Sequence, residues 1–208
     1  MTSDSEREFE LALNVSRETI ERLKVYETLL KKWNPRINLV SSSTLDTIWS
    51  RHFLDSAQIF GLVPDFNHWA DLGSGGGFPG LVIAILAADR PSPPKVTLVE
   101  SDLRKSAFLS TVAREIGLNV DVRAERIETI YPLRACVLSA RALAPLDKLL
   151  EFTDLHLKAD GVAVFPKGGQ WRAELAEAQT HWEFELATHN SKTESAAAIL
   201  TIKGVKRV

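Results

Sequence analysis

A single cysteine, Cys136, stands in the whole chain. That excludes an internal disulfide and any zinc cluster built on cysteine. No run reaches eighteen consecutive apolar residues, so no ordinary transmembrane helix is encoded. The opening MTSDSEREFE is polar and acidic, unlike a secretory signal or a membrane anchor. Strong charge of one sign is missing as well: 25 Lys and Arg against 27 Asp and Glu leave a formal net charge of −2. A chain of that balance does not gather polyanions through its overall field, so a nucleic-acid partner needs a local basic patch. Internal repeats and low-complexity segments are also absent. The remainder is an ordinary globular balance, 208 residues with 45% hydrophobic and 25% charged, enough for one core. These features predict a cytoplasmic, monomeric protein made of one domain over residues 1–208.

The apolar periodicity divides the chain in two. VSRETIERLKVYETLLKKW places Ile20, Leu23, Tyr26, Leu29, Leu30 and Trp33 on one helical face. Ser16 is the expected N-cap, with Val15 and Ile20 as a hydrophobic staple, and Pro35 is the expected stop. A second helix is predicted through LDTIWSRHFLDSAQIF, burying Ile48, Trp49, Phe53, Ile59 and Phe60. Residues 1–65 thus read as a helical extension preceding any strand. From residue 66 to 208 strands and helices alternate: HWADLG, KVTLVE, NVDVRAE, RACVLSA and GVAVFP as strands, with helical stretches between them. That order predicts an α/β fold, a mostly parallel twisted sheet with helices on both faces. EFELATHN and AAAILTIKGV, separated only by SKTES, predict an antiparallel hairpin at the C-terminal edge.

Within this pattern, HWADLGSGGGFPGLVIAILAAD puts five glycines into the eight positions from Gly73 to Gly80. Glycine costs backbone entropy on folding, so such density needs a reason. In a doubly wound sheet the first strand–turn–helix is where a ligand meets main chain. Gly75, Gly77 and Gly80 match G-x-G-x-x-G, a string that is weak alone. Two acids refine it. Asp71, just before the glycines, would repel a pyrophosphate but suits a positively charged ligand. Glu100, ending the second strand, can accept from both hydroxyls of a ribose. A nucleoside with a cationic tail satisfies both, and S-adenosylmethionine (S-adenosyl-L-methionine) is such a molecule. A tight turn without ligand would need only one or two glycines. A nicotinamide or flavin cofactor would tolerate Glu100 but leaves Asp71 unexplained.

DLGSGGGFPG resembles the D-[VL]-G-[ST]-G-x-G-[FL]-P-G loop of the glucose-inhibited division protein B family, bacterial 16S rRNA guanine-N7 methyltransferases. KWNPRINLVSS, RHFLDSAQI, LVESDLRKSAFL, LSARALAPL and FPKG are similar to further segments of that family, in the same order and over nearly the whole chain. The resemblance implies a Rossmann-like class I methyltransferase fold, S-adenosylmethionine as cofactor and no metal. Its partner would be 16S rRNA within the small ribosomal subunit or an assembly intermediate. It further implies Gly73 and Phe78 as cofactor-site residues in the loop, Ala124 and Glu125 at the adenine, and Arg141 after the fourth strand. Glu100 joins them through the charge argument above. ADRPSPPKV departs from the family by a longer, proline-rich turn, away from the expected ligand edge.

Guanine N7 carries a lone pair and no proton at neutral pH, so no catalytic general base is expected; orientation carries the reaction. Pyrimidine C5 methylation would need a cysteine nucleophile, and Cys136 lies in the apolar RACVLSA, where core packing is the expectation. Exocyclic-amine methylation often uses an N/D-P-P-aromatic turn after the fourth strand, where this chain has SARALAPL. Candidate RNA contacts are Arg51, His52 and Lys167, which the family's motifs include without a role, and Lys31, Lys32 and Arg36. Arg51 could instead pair with Asp55 one turn on. His52 could be structural, and the lysines could serve the helix dipole. A small-molecule methyltransferase of this fold, or a non-catalytic RNA-binding assembly factor, remains an alternative at this level.

Overall fold

The computed structural model describes residues 4–208. Two helices, α1 (Asp4–Leu13) and α2 (Arg17–Ile37), open it, the first of them not foreseen in the acidic start. Ser16 caps α2 as its sequence predicts, its Oγ accepting from the Thr19 N–H at 3.1 Å. Pro35 does not stop the helix: it lies inside the last turn on the exposed side. There the Lys31 carbonyl that proline cannot serve is left to solvent. The stop is made by Asn34, whose buried Oδ1 accepts from the Leu39 and Val40 N–H groups at 2.8 and 2.9 Å. Asn38 takes the left-handed conformation that turns the chain away.

The second predicted helix is broken. A 3₁₀ segment (Ser42–Thr47) runs into a π-helical turn (Trp49–Leu54) and a single α-turn, α3 (Asp55–Ala57). Ile48, Trp49, Phe53 and Ile59 are buried as expected, while Phe60 is half-buried. Arg51 and Asp55 do not pair there; Arg51 meets Glu194 and Asp55 meets Arg141.

The rest alternates as the sequence predicts. Strand β1 (His68–Leu72) leads to α4 (Gly80–Ala87), β2 (Lys95–Val99) to α5 (Leu103–Glu115), and β3 (Asp121–Arg123) directly to β4 (Ala135–Ala140). Helix α6 (Leu146–His156), β5 (Leu157–Lys167), α7 (Trp171–Ala178), β6 (Trp182–Asn190) and β7 (Ala198–Arg207) complete the chain. The seven strands lie in the order β3-β2-β1-β4-β5-β7-β6. Only β7 runs against its neighbours, forming the expected edge hairpin with β6.

Period-two alternation builds two cores. In β5, Val162 and Val164 join a cluster on one face, with Ala163 and Phe165 in a second cluster on the other. The first cluster holds Phe9, Leu23, Tyr26, Leu30, Trp49 and Phe53 of the N-terminal helices together with Val82, Leu98 and Phe108. The helical segment thus shares a core with the sheet. The second cluster packs Leu146, Leu149 and Phe152 of α6 against Leu138, Ala140 and Leu200. Among the described residues no helix is long and apolar enough to cross a membrane.

Asn34→Ala strips the acceptor from two main-chain donors next to a buried residue, so it should cost about 1–3 kcal/mol. Urea unfolding of the two proteins measures this, and an unchanged midpoint would show that Asn34 is not the helix stop.

Candidate functional site

Strand register assembles the site. Leu72 pairs with Val99 and with Ala140, and Val99 pairs with Arg123. One residue beyond these pairs stand Gly73, Glu100, Arg141 and Ala124. Four positions scattered over the sequence thus form one row across β3, β2, β1 and β4. The chain leaves β1 toward β2 and returns to β4 on the other side, so the row spans the switch point where α/β sheets bind ligands. A cavity of about 840 Å³ opens there. Gly73, Gly75, Phe78, Glu100, Glu125 and Arg141 line it, with Leu39, Lys105, Leu143 and Phe152.

The glycine loop forms its floor. Gly73 has φ +63°, and a Cβ on it would come 2.5 Å from Leu143 Cδ1. Gly80 opens α4 against β1 and β2, where a Cβ would lie 2.4 Å from Leu98 Cδ2 and 2.7 Å from Asp71 Cβ. One glycine therefore bares main chain to the cavity and the other lets helix and sheet touch. Neighbours hold the loop's polar groups: Gly75 N–H donates to Glu100 Oε2 at 2.9 Å, Gly80 N–H to Asp71 Oδ2 at 3.1 Å, and Tyr26 Oη–H to the Gly76 carbonyl.

Arg141 is the most constrained side chain in the wall. Its Nη1 donates to Asp55 Oδ2 and its Nη2 to His52 Nδ1, both at 3.1 Å. The guanidinium carbon lies 4.9 Å from the Phe78 ring centre. Accepting from arginine leaves the imidazole proton on Nε2, which donates to Thr44 Oγ1 at 2.7 Å. Thr44 in turn donates to the Ser41 carbonyl at 2.8 Å. Burial first, then the charge of Arg141, pushes the His52 pKa down from 6.5 to about 4.

Several expectations need correcting against this geometry. Asp71 does not face the cavity. It is fully buried beneath the loop, held by Gly80 N–H and by Ser139 Oγ–H at 2.7 Å, and burial raises its pKa to about 6. Phe78 lies at the wall but is 4% exposed, its ring packed by Tyr26, His52 and Arg141. Ala124 is exposed beside the cavity rather than lining it, whereas Glu125 lines it. Arg51 reaches Glu194 at 3.4 Å instead of Asp55. Lys167 lines a smaller adjoining cavity of about 430 Å³, its ammonium engaged by Glu174 and by the Ala144 carbonyl at 3.1 Å. Lys31 pairs with Glu27 at 2.7 Å. Cys136, half-buried, packs against the first core cluster as expected; it stands near the start of β4, far from the row, and its thiol donates to Asn67 Oδ1 at 2.7 Å.

Sequence reasoning missed Tyr26 and Asp55 as site supports, because Tyr26 reads as a helix-face residue and Asp55 as a partner for Arg51. Leu143 and Phe152 left no signal beyond apolarity.

A family model described as GidB, rRNA small subunit methyltransferase G, matches residues 19–201. The chain is 53% identical over 198 residues to a ribosomal RNA small subunit methyltransferase G of Ruegeria sp. (strain TM1040), covering 95% of this chain and 97% of that one. A protein of the same name from Ruegeria pomeroyi is 54% identical over 196 residues, covering 94% and 96%. A solved TehB-like SAM-dependent methyltransferase from Corynebacterium glutamicum superposes with TM-score 0.58 at 15% identity, over 86% of this chain and 97% of that one. M. jannaschii TYW2, solved in complex with AdoMet, gives TM-score 0.55 at 14% identity over 77% and 78%. At such identities the two structures speak for the fold alone.

Because the folded pKa of His52 lies below its unfolded value of 6.5, the neutral ring's contribution is complete above pH 6.5 and is lost as the pH falls toward about 4. The stability difference between wild type and His52→Gln should therefore shrink between about pH 7 and pH 4.5. Paired urea titrations read it, and a difference independent of pH would show that folding does not depress the pKa of His52.

Proposed function

The chain belongs to the GidB family of small-subunit rRNA methyltransferases and is an S-adenosylmethionine-dependent methyltransferase of ribosomal RNA; we propose that it methylates N7 of a guanine in 16S rRNA. The observation that carries the reading is the registered row of Gly73, Glu100, Ala124 and Arg141 over a loop of bare main chain. When bound, S-adenosylmethionine supplies the electrophilic methyl carbon of its sulfonium.

The residues present fit that molecule. Glu100 has one lone pair engaged on each oxygen, by Gly75 N–H and by Asp102 N–H at 2.8 Å. Each oxygen keeps acceptor capacity toward the cavity for a ribose hydroxyl. Gly73 admits the ligand against main chain, and the segment Ala124–Glu125 borders the adenine. Arg141, fixed by Asp55 and His52, stands between the cofactor cavity and the adjoining one, into which the target base enters. Phe78 acts by bracing Arg141 and His52.

Ring-nitrogen chemistry suits the state of the ionisable groups. Guanine N7 has no proton to remove, so the chain need only hold it in line and keep water out, which is worth roughly 7–11 kcal/mol. Of the two groups whose pKa values are displaced, His52 has its one acceptor nitrogen taken by Arg141, and Asp71 is fully buried beneath the glycine loop, away from the cavity. Neither is free to serve as a base. Arg51 and Lys167, tied to Glu194 and Glu174, act on RNA only by exchanging those partners. The reading includes a cytoplasmic monomer of one domain, residues 1–208, with 1–65 as the extension and 66–208 as the cofactor-binding part. Whether finished subunits or assembly intermediates are modified is separable by offering both.

Purified protein with labelled S-adenosylmethionine should label the RNA of small-subunit particles, and digestion should yield 7-methylguanine. Label found only on small metabolites, or bound cofactor with no RNA modified, would reject the reading. Gly73→Val adds a Cβ facing Leu143 in a left-handed conformation, a strain of about 1–3 kcal/mol. Calorimetry should show cofactor affinity falling at least about tenfold, equivalent to about 1.4 kcal/mol, with the protein still folded; unchanged affinity would remove Gly73 from the site.

A further inference from the structure

Beside the cofactor cavity, the C-terminal end of α2 lies against the N-terminal end of α5. Between them is a cleft of about 360 Å³ lined by Lys32, Trp33, Arg36, Ile37, Arg104 and Ala107. Trp33, Ile37 and Ala107 supply an apolar floor, and three cations stand around it. Among the described residues neither Lys32 nor Arg36 has an ion-pair partner, whereas the adjacent Lys31 is neutralised by Glu27. Arg104 pairs with Asp102 at 3.2 Å. Lys105 and Arg126, also without ion-pair partners among the described residues, stand on the cavity wall, where Glu125 and Glu128 flank Arg126. Leu39, two residues past Ile37, lines that wall too.

Helix electrostatics explains only some of these cations. Lys32 and Arg36 stand where a helix dipole favours cations, although four residues apart they repel one another. Arg104 and Lys105 occupy the first turn of α5, where the dipole disfavours them. Five cations therefore gather on one side of a chain whose net charge is −2, two of them against the local field. An apolar slot rimmed by cations complements a flat base flanked by phosphates.

Resting on the methyltransferase reading above, we propose that this cleft docks substrate RNA outside the reaction site. An unpaired nucleotide lays its base on Trp33 and Ile37. The phosphates on either side meet Lys32, Arg36 and Arg104, and the strand continues past Lys105 and Arg126 to the cavity.

The test compares Lys32→Ala/Arg36→Ala with a control that removes two charges elsewhere, Lys203→Ala/Lys206→Ala on the exposed part of β7. Filter binding to extracted small-subunit rRNA, without cofactor, should show the cleft variant weakened about tenfold. Its salt slope should be shallower by about 1.4, two phosphates at about 0.7 each for single strands. The control should keep wild-type values, and both variants should keep wild-type cofactor affinity by calorimetry and wild-type melting. If alanines lower the melting temperature, Lys32→Gln/Arg36→Gln replaces them with the same expectation. Unchanged RNA affinity and slope, or equal loss in the control, overturns the proposal. So does retained rRNA binding with lost binding to the intact particle, which would assign the cleft to a ribosomal protein. Wild-type protein that neither holds S-adenosylmethionine nor methylates RNA would defeat the functional reading instead, and RNA binding without cofactor reports separately from it.

Discussion

A loop made of glycine cannot hold its own shape. Its glycines bring no side chains to pack, and beyond the Gly77 and Phe78 N–H bonds to the Ser74 carbonyl its polar main-chain groups need partners from outside the loop. The supports on this wall answer to that constraint. Glu100 takes the Gly75 N–H, Asp71 takes the Gly80 N–H, and Tyr26 reaches from α2 to the Gly76 carbonyl. A loop stripped bare for a ligand thus depends on three acceptors and donors brought from β2, β1 and the N-terminal helices. The same need accounts for an aspartate buried at an energetic cost. Its carboxyl group clamps the start of α4 and is backed by Ser139, which Trp69 holds in turn.

The opposite wall is held by charge rather than by main chain. Arg141 emerges from β4 into the company of Asp55, His52 and Phe78. Asp55 is itself held by Gln58 Nε2 and by Thr193 Oγ1, at 3.0 and 2.7 Å, and Gln58 Oε1 takes the Lys192 N–H at 2.8 Å. The loop between β6 and β7 therefore closes on the segment before β1. Helical extension and C-terminal hairpin, distant in sequence, meet at the cavity edge through Asp55, which takes Thr193 with one oxygen and Arg141 with the other.

Much of the fold was legible because its signals are local and periodic. Alternation in Val162 to Phe165 and helical spacing from Ile20 to Trp33 follow from what a strand or helix must bury. The glycine run announced a close approach to main chain, and five separate motif matches named a family. Other features obeyed partners that periodicity does not reveal. Pro35 looked like a stop, but helix termination was decided by a buried acceptor on Asn34. Arg51 and Asp55 had the spacing of an ion pair, but Glu194 and Arg141, brought in from elsewhere in the chain, take them instead. Asp71 was read as facing the ligand because its sign suited one; strand pleat and packing turned it to the other side of the loop.

By itself the sequence determined the strand–helix alternation after residue 66, the buried face of α2, and that bare backbone awaits a ligand after the first strand. Each of these follows from neighbours a few positions away. Tertiary structure alone decided that Gly73, Glu100, Ala124 and Arg141 stand in one row, since register between parallel strands depends on how whole layers pack. It decided too which nitrogen of His52 holds the proton and which charges remain unpaired around Trp33. Those outcomes are set by competition among groups that only folding brings within a few ångströms of each other.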